Sequence, residues 1–477
     1  MAIDYNKDSY YLNNNFEDVL DVKIMEFQLA GNKASLYFLD GFVDKLIFED
    51  HIFNKLLKID SIKNGIKETI TQYVCPTSPI IETDKIEECV DYIMHGDIVL
   101  LVDTAEKFYV FSEKIVPSRT ISEPPVNSVI RGPREGFTEE IKTNMTLIRK
   151  RLYSKYLKFK LITVGRLTKT HVVIAYISNI ADKTIVDKIE ERINNIDIDG
   201  IIESSYIARF IEDNGKSLFN QIGKSEKPDI VVGKLLEGRV AIIVDGSPSV
   251  LTLPFIYIEN FQTAEDYYSK SYRATLVRFI RLTALVLAVF LPGYYVAFQE
   301  FHYHLLPYNF LIAIIEASNK IPLTPTLEML VVIVLFEILS EASIRMPRYI
   351  SMALSIVGAI VLGETAVSAG LLSTPTILVI AISTLGIYCV PDEVSSSSVL
   401  RLISVLLGGL LGILGLALMS VVIIAYLASL ESYHCSYLTP FAPMKTHDWQ
   451  DSIYKDELKR LKERPYSIPT KNRVRQK

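Results

Sequence analysis

The sequence predicts an α+β soluble region of two small α/β subdomains, followed by an all-α polytopic membrane domain. The first 272 residues mix charged and apolar segments, whereas residues 276–430 hold long apolar runs. The longest run, 399–430, contains Arg401 as its only charge. About 20 helical residues cross a bilayer core of about 30 Å. Because backbone groups in lipid must be paired within their own segment, the apolar runs are expected to be helices.

Composition excludes several functional classes. The 477 residues carry a net charge of −5, which gives no reason to expect nucleic-acid binding. The four cysteines are scattered without metal-ligand spacing, so we expect neither a metal site nor a cofactor. The N-terminus is polar and resembles no signal peptide, so the soluble region is expected on the cytoplasmic side of the membrane.

The soluble region is predicted to hold two subdomains, at 1–116 and 138–275. In the first, 33–40 and 97–103 have the composition of strands, and residues 1–30 are expected to be loosely ordered. In the second, strands are predicted at 158–166, 171–178 and 239–244, with amphipathic helices between them. Residues 261–273, rich in aromatic and polar side chains, suit a bridge at the membrane surface.

Residues 117–137, which we call the signature linker, are rich in proline, glycine and arginine. Prolines and glycines deny its first part regular structure. We expect a linker between the subdomains, locked by pairs between its arginines and its glutamates: Arg119, Glu123, Arg131, Arg134 and Glu135. A phosphate-binding loop is the alternative, but the linker lacks the lysine and hydroxyl of a P-loop.

The same stretch carries a resemblance to a known family. Its sequence includes PSRTI at 117–121, EP at 123–124 and IRGPREGF at 130–137, followed by Thr143-Asn144 and by Arg149 and Arg151. This pattern resembles the signature of the GerA family of spore germination proteins. Further similar segments lie at 236–246, 290–292, 336–338, 355–358 and 437–443, so the resemblance spans most of the chain.

The resemblance implies the A-type subunit of a nutrient germinant receptor in the spore inner membrane. Its implied partners are a B-type transporter-like subunit, a C-type lipoprotein and further copies of itself, which together would form a ligand-gated cation channel. A family paralogue, a non-channel scaffold and a secondary transporter remain as alternatives. No set of nucleophile, base and orienting residue is visible, so we do not expect an enzyme.

Basic flanks predict the membrane topology, since such residues favour the cytoplasmic side. They lie at 273–281, at 345–348 and at 459–477 within the tail, 431–477, which we expect to be cytoplasmic. Attraction of the basic tail to anionic lipid and a role in fixing the topology alone are two compatible interpretations of the last cluster. Four crossings fit these flanks: 280–299, 325–343, 349–372 and 402–430. The shorter runs at 305–316 and 376–390 are then half-helices or re-entrant segments, and five or six crossings are the alternative.

Three carboxylates interrupt the apolar runs and are candidates for an ion path: Glu337, Glu341 and Glu364. Charged groups at this depth are costly and often functional. Glu337 and Glu341 share a helical face, and Arg345 is placed to neutralise Glu341. Buried pairing or a subunit interface is the alternative role. Four glycines between 408 and 415 predict close packing of a long helix.

Overall fold

The computed structural model describes residues 4–62, 65–74, 80–103, 105–112, 132–319, 321–347, 350, 358 and 361–476. Three of the residues proposed for the signature linker, Arg119, Glu123 and Arg131, lie outside this part of the chain. Residues 349, 351–357, 359 and 360 of the predicted crossing at 349–372 lie outside it as well.

The first subdomain is an antiparallel five-stranded sheet with strand order β1-β2-β4-β5-β3. Its strands are β1 Val22–Leu29, β2 Asn32–Leu39, β3 Ile81–Thr83, β4 Ile98–Val102 and β5 Phe108–Phe111. Its helices are α1 Tyr5–Asn15, α2 Lys45–Phe48, α3 Asn54–Leu56, α4 Ile66–Val74 and α5 Ile86–Met94, with a π-helical turn at Glu49–Phe53. Strand β4 is buried along its whole length, as its apolar composition predicts.

The prediction that residues 1–30 are loosely ordered is wrong. Helix α1 begins after Asp4, whose carboxylate accepts a hydrogen bond from the backbone N–H of Lys7. The side chains of Leu12 and Phe16 are buried in the core of the first subdomain. Tertiary burial therefore orders a segment whose polar composition indicates a loop.

The second subdomain repeats this architecture, with strand order β6-β7-β9-β10-β8 in a second antiparallel sheet. Its strands are β6 Leu157–Val164, β7 Thr170–Ile177, β8 Gly223–Ser225, β9 Val240–Val244 and β10 Val250–Leu253. Its helices are α6 Ile141–Arg149, α7 Lys183–Asn194, α8 Ser204–Ile211 and α9 Pro228–Leu236. The predicted strands and helices of this region are therefore present.

Each subdomain has the same junction from a helix to a central strand. Helix α5 leads through Gly96 to β4, and helix α9 leads through Gly238 to β9. Both glycines have a positive φ, +90° and +96°, which ends a helix and is strained for any residue with a Cβ atom. Shared strand order and a shared turn show that the soluble region contains two copies of one structural plan.

The rest of the chain is mainly helical. Its helices are α10 Ala264–Tyr268, α11 Ser271–Glu300, α12 Tyr308–Ser318, α13 Pro325–Arg345, α14 Ala366–Ser368, α15 Thr374–Tyr388 and α16 Val394–Ser429, with a π-helical turn at Val361–Thr365. Two of the described helices, α11 and the helix that includes α16, are long and apolar enough to cross a membrane.

Helix α16 reverses direction at Gly412. This residue has φ 62° and ψ −144°, outside the helical region. A Cβ atom built on Gly415 would lie 2.6 Å from the carbonyl oxygen of Leu407, although eight residues of straight helix span about 12 Å. The expected crossing over 402–430 is therefore not one straight helix. It is part of a hairpin with limbs 394–411 and 413–429.

Two contacts made by Asn220 of the second subdomain show the same reversal. Its side-chain amide donates to the carbonyl oxygen of Asp392, just before α16, at 2.9 Å. Its own carbonyl oxygen accepts a hydrogen bond from the hydroxyl of Tyr437, just after α16, at 2.6 Å. A straight helix of 36 residues would separate these two points by about 54 Å. Both ends of the hairpin therefore lie beside the second subdomain.

Helix α15 runs antiparallel to α11. The hydroxyl of Ser383 donates to the carbonyl oxygen of Ala288 at 2.6 Å, and Thr376 lies 3.4 Å from the hydroxyl of Tyr295. The predicted half-helix or re-entrant segment at 376–390 is thus a helix that follows α11 for several turns. Close approach at the glycines is confirmed: Gly408 packs on the backbone of Gly293 in α11.

The tail packs on the second subdomain. Short strands β11 Glu431–Ser432 and β12 Cys435–Ser436 follow α16. Farther along, the backbone N–H of Lys471 donates to the carbonyl oxygen of Ile180 at 2.8 Å, and Ile468 is fully buried. The tail and the soluble region therefore lie at the same end of the helical part, which we call the near end. The opposite end, at Glu300 and Gly412, is the far end.

Candidate functional site: buried ion pairs from the soluble region to the helices

The two subdomains are joined through a buried arginine. Arg149, at the end of α6, is fully buried and bonds the carboxylate of Asp21 with two nitrogens, at 2.8 and 2.9 Å. The guanidinium also donates to the carbonyl oxygen of Ser154 at 2.7 Å and lies 5.1 Å from the ring centroid of Phe159. Asp21 precedes β1, so one side chain of the second subdomain holds the first sheet.

A second buried cluster ties the sheet of the second subdomain to the helical turn Tyr257–Phe261, which leads into the bridge. The carboxylate of Glu259 accepts hydrogen bonds from Arg239 and Lys234. Burial opposes ionisation of Glu259, but the two adjacent cations hold its pKa below the ordinary value. Arg239 also donates to the carbonyl oxygen of Pro254 at 2.5 Å, which fixes the path of the chain after β10. The cluster therefore links α9, β9 and the bridge.

A third cluster joins the bridge, helix α11 and the tail. Arg278 of α11 is fully buried and donates to Asp266 at 3.1 Å and to Asp451 of the tail at 2.9 Å. Arg281 donates to Asp266 from the next turn of the helix at 3.0 Å. Two arginines of the basic flank that predicts topology are thus ion-paired within the protein.

The tail contributes a lysine to this third cluster. The ammonium of Lys455 lies 3.4 Å from the ring centroid of Tyr267 and 3.9 Å from Asp451. Burial lowers the pKa of Lys455 to about 8. The hydroxyl of Tyr267 donates to the other carboxylate oxygen of Asp451 at 2.9 Å. The described tail therefore docks through specific polar contacts.

Within the helical part, Glu337 pairs with a cation from another helix. Its carboxylate lies 2.7 Å from Arg401 of the first limb of α16, and Arg401 is 2% exposed. Arg401 also donates to the hydroxyl of Thr384 in α15 at 3.2 Å. Sequence reasoning sought a partner for Glu337 in its own helix and missed this pair. The signal was available, because Arg401 is the only charge in the longest apolar run.

The other two candidates for an ion path have different surroundings. Glu341 pairs with Arg345 at 2.5 Å, as the spacing predicts, and both side chains are exposed. Glu364 lies in the π-helical turn, and its side chain is also exposed.

Two further carboxylates that sequence reasoning missed hold the far end together. Glu328 is buried and accepts a hydrogen bond from the backbone N–H of Ser373 at 2.6 Å. Glu300 accepts one from the hydroxyl of Thr326 at 2.7 Å. Each links two of the helical segments, so their role in the described structure is to position helices.

The described end of the signature linker is attached to the second subdomain. Glu135 pairs with Lys150 at 2.9 Å and with Arg151 at 2.6 Å. The backbone N–H of Phe137 donates to the carbonyl oxygen of Glu226 at 2.8 Å. Arg134 lies within the described residues, and the proposal that it ties the linker to a carboxylate stays a prediction. Across the described ranges, no three His, Cys, Asp or Glu residues form a group that could hold a metal ion.

Comparison with known proteins gives consistent results. The family model for the Bacillus/Clostridium GerA spore germination protein matches residues 10–467. Spore germination protein KA of Bacillus subtilis strain 168 is 32% identical over 464 residues, which cover 96% of this chain and 85% of that protein. Spore germination protein GerLA of Bacillus cereus is 29% identical, covering 95% of this chain and 93% of that protein.

An uncharacterized membrane protein of Bacillus subtilis, YfkQ, is 33% identical, with coverage of 91% of this chain and 85% of that protein. Among solved structures, the N-terminal domain of the A subunit of the Bacillus megaterium spore germinant receptor GerK3 is similar, at 28% identity. The match covers 53% of this chain and 95% of the GerK3 domain, with a TM-score of 0.42. The family match and the relatives support a role in spore germination. The chain belongs to the GerA family of spore germination proteins.

Proposed function

We propose that this chain is a membrane-embedded A-type subunit of a nutrient germinant receptor. It acts with a B-type transporter-like subunit, a C-type lipoprotein and further copies of itself, and the assembly conducts cations when nutrient binds. The relatives that are spore germination proteins support a role in germination, and the apolar helices support a location in a membrane. Its soluble region and tail face the spore cytoplasm, with the helices in the inner membrane.

The proposed coupling between the soluble region and the helices rests on one structural observation. Both ends of the α16 hairpin are attached to the second subdomain. Asn220 contacts both ends, and Asn260 donates to the buried carboxylate of Glu393 at 2.7 Å. A displacement of the second subdomain therefore acts on both limbs at once. Because packed helices have discrete arrangements rather than a continuum, such a displacement favours one arrangement of the bundle over another.

The hairpin also revises the proposed topology. Each limb has about 18 residues, or about 27 Å, which is close to the thickness of a bilayer core. Helices α11, α13, α15, the two limbs of α16 and the segment between α13 and α15 then make six crossings. An even number of crossings keeps the soluble region and the tail on the same side, as their contacts require.

Glu337, Glu341 and Glu364 remain the proposed lining of the cation path. Glu341 and Glu364 are exposed and suit a water-filled space between subunits, since a carboxylate in lipid is costly. Glu337 is 41% exposed, so one side of its carboxylate is open while Arg401 holds the other. Opposing charge from Arg401 would weaken cation binding at Glu337 and allow ions to leave.

Purified protein in liposomes tests conduction, with its partner subunits and nutrient present. Glu337→Gln and Glu341→Gln are compared with the parent, because both lie on α13 and each loses one carboxylate. We expect slower cation flux or altered selectivity from Glu337→Gln. The double variant Glu337→Gln with Arg401→Met removes the whole ion pair and separates conduction from packing.

If the double variant restores the flux of the parent, Glu337 is a counter-ion for Arg401 and the path lies elsewhere. If neither the parent nor any variant conducts ions while the receptor still assembles and responds to nutrient, the non-channel scaffold replaces this proposal. Nutrient accumulation driven by an ion gradient would favour a secondary transporter.

A further inference from the structure

Helix α8 of the second subdomain carries an exposed apolar stripe. Its buried side, including Ile207 and Ile211, packs on the sheet. Tyr206 and Phe210 lie four residues apart in the helix, which places them on one face. Their exposed fractions are 41% and 49%, and Ile202, two residues before the helix, is 70% exposed. Large apolar side chains exposed side by side on one helix face indicate a contact surface more strongly than isolated ones do.

The stripe leads to the near end of the helical part. The carbonyl oxygen of Ile211, the residue after Phe210, accepts a hydrogen bond from the hydroxyl of Tyr433 at 2.9 Å. Tyr433 lies four residues beyond the end of α16. The C-terminal end of α8 is therefore beside the point where the chain leaves the helices.

The loop after α8 reaches the same level. Leu218 is 47% exposed, and the next residue, Phe219, packs with Leu427 at the end of α16. The ring centroid of Phe219 lies 6.2 Å from that of Tyr426. Leu218 is therefore exposed beside the contact between the second subdomain and the helices, at the same end of the subdomain as the C-terminal end of α8.

Basic side chains flank this surface. Arg209, Lys216 and Lys224 are exposed, and the ammonium of Lys224 lies 2.8 Å from the hydroxyl of Ser205 in the first turn of α8. Of the nearby acids, Asp213 is paired with Arg192 at 2.5 Å and Glu212 is half-buried. Three cations are therefore exposed around the stripe.

We propose that Tyr206, Phe210 and Leu218 form a membrane-surface anchor, which rests on the headgroup layer of an anionic phospholipid bilayer. Tyrosine and other amphipathic aromatic residues favour the membrane–water interface. Anionic lipid attracts adjacent lysine and arginine. This inference rests on the proposed embedding of the helices in a membrane.

The anchor gives the second subdomain a fixed height and tilt relative to the bilayer. The second subdomain is attached to both ends of the α16 hairpin, so lipid contact along α8 restrains the same body that moves the hairpin. The lipid composition would then favour one arrangement of the helices over another without any lipid binding between the helices.

Fluorescence of the full chain in lipid nanodiscs tests the anchor. The chain contains one tryptophan, Trp449, so Trp449→Phe gives a background free of tryptophan. Single tryptophans are then introduced by Phe210→Trp and Tyr206→Trp, and emission is compared in nanodiscs with and without phosphatidylcholine brominated on its acyl chains. Val286→Trp, at a 50% exposed position of α11, reports whether the helices are embedded. Leu46→Trp, at a 74% exposed position of the first subdomain, is the matched control.

We expect brominated lipid to quench tryptophan at 210 and 206 by a fraction approaching that at 286, and to leave tryptophan at 46 unchanged. Quenching at 210 should increase when phosphatidylglycerol is included, and Arg209→Glu with Lys216→Glu should remove that increase. Quenching at 286 without quenching at 210 or 206 overturns the anchor and leaves the embedding intact. Absence of quenching at 286 contradicts the embedding itself. Equal quenching at 46 and 210 also overturns the anchor.

Discussion

The two α/β subdomains share a strand order but differ in what surrounds them. The first is held by residues 142–158 of the second, through Arg149 and through Lys142, which lies 3.1 Å from Asp40. The second contacts the described end of the signature linker, the bridge, both ends of the α16 hairpin and the tail. Of two copies of one structural plan, the first is attached to the second, and the second is attached to the helices.

This difference indicates a division of labour. The second subdomain cannot move without displacing helices, because Glu259, Asn220 and Asn260 attach it to them or to the bridge. We therefore expect input to enter through the first subdomain or the linker and to reach the membrane through the second.

The largest expected effect comes from cutting the junction between the subdomains. Arg149→Met leaves the carboxylate of Asp21 without its partner, and removing one member of a buried ion pair costs about 3–5 kcal/mol. The first subdomain should become susceptible to limited proteolysis while the second stays protected.

The control for this junction is an exposed pair in the second subdomain, Arg166 with Asp197. Arg166→Met should leave stability nearly unchanged, because solvent screens exposed pairs. Equal proteolysis of Arg149→Met and the parent would show that the subdomains are held together by other contacts.

A smaller loss of stability is expected from substituting either of the two equivalent glycines, Gly96 and Gly238, and its consequence should differ between them. Alanine in a left-handed conformation costs about 1–3 kcal/mol, so Gly96→Ala and Gly238→Ala should both lower thermal stability. A Cβ atom at 96 would meet Phe42 within the first subdomain, whereas one at 238 would meet Thr470 of the tail. Trypsin should therefore release tail peptides from Gly238→Ala before Gly96→Ala, and release at equal rates would contradict the docking described.

The smallest effect concerns the pH dependence of tail docking. Burial lowers the pKa of Lys455 to about 8, from an ordinary value of 10.5. Between these values the unfolded chain binds a proton that the folded chain lacks, so stability should rise with pH from about 8 to 10.5. Thermal unfolding across this range measures the slope. Lys455→Met should flatten it, and a slope unchanged by that substitution would exclude Lys455 as its source.

Local pattern was sufficient for many elements of the soluble region. The apolar run at 98–102 indicates a buried strand, and the isoleucines of α7 recur at helical spacing; both elements are present. Pattern failed at residues 1–30, where a few buried apolar side chains order a polar segment. It also failed at Gly412, because a glycine inside an apolar run is compatible with a straight helix or a turn.

Sequence by itself determined the family, the division into soluble and apolar parts, and the pair of Glu341 with Arg345, since these depend on local order and spacing. Only the tertiary structure decided that Arg149 meets Asp21 and that Arg401 meets Glu337, at separations of 128 and 64 residues. The physical reason is that a buried charge requires a partner, while the choice of partner depends on how distant segments pack. The hairpin of α16 has the same origin, because its two ends are brought together by the second subdomain.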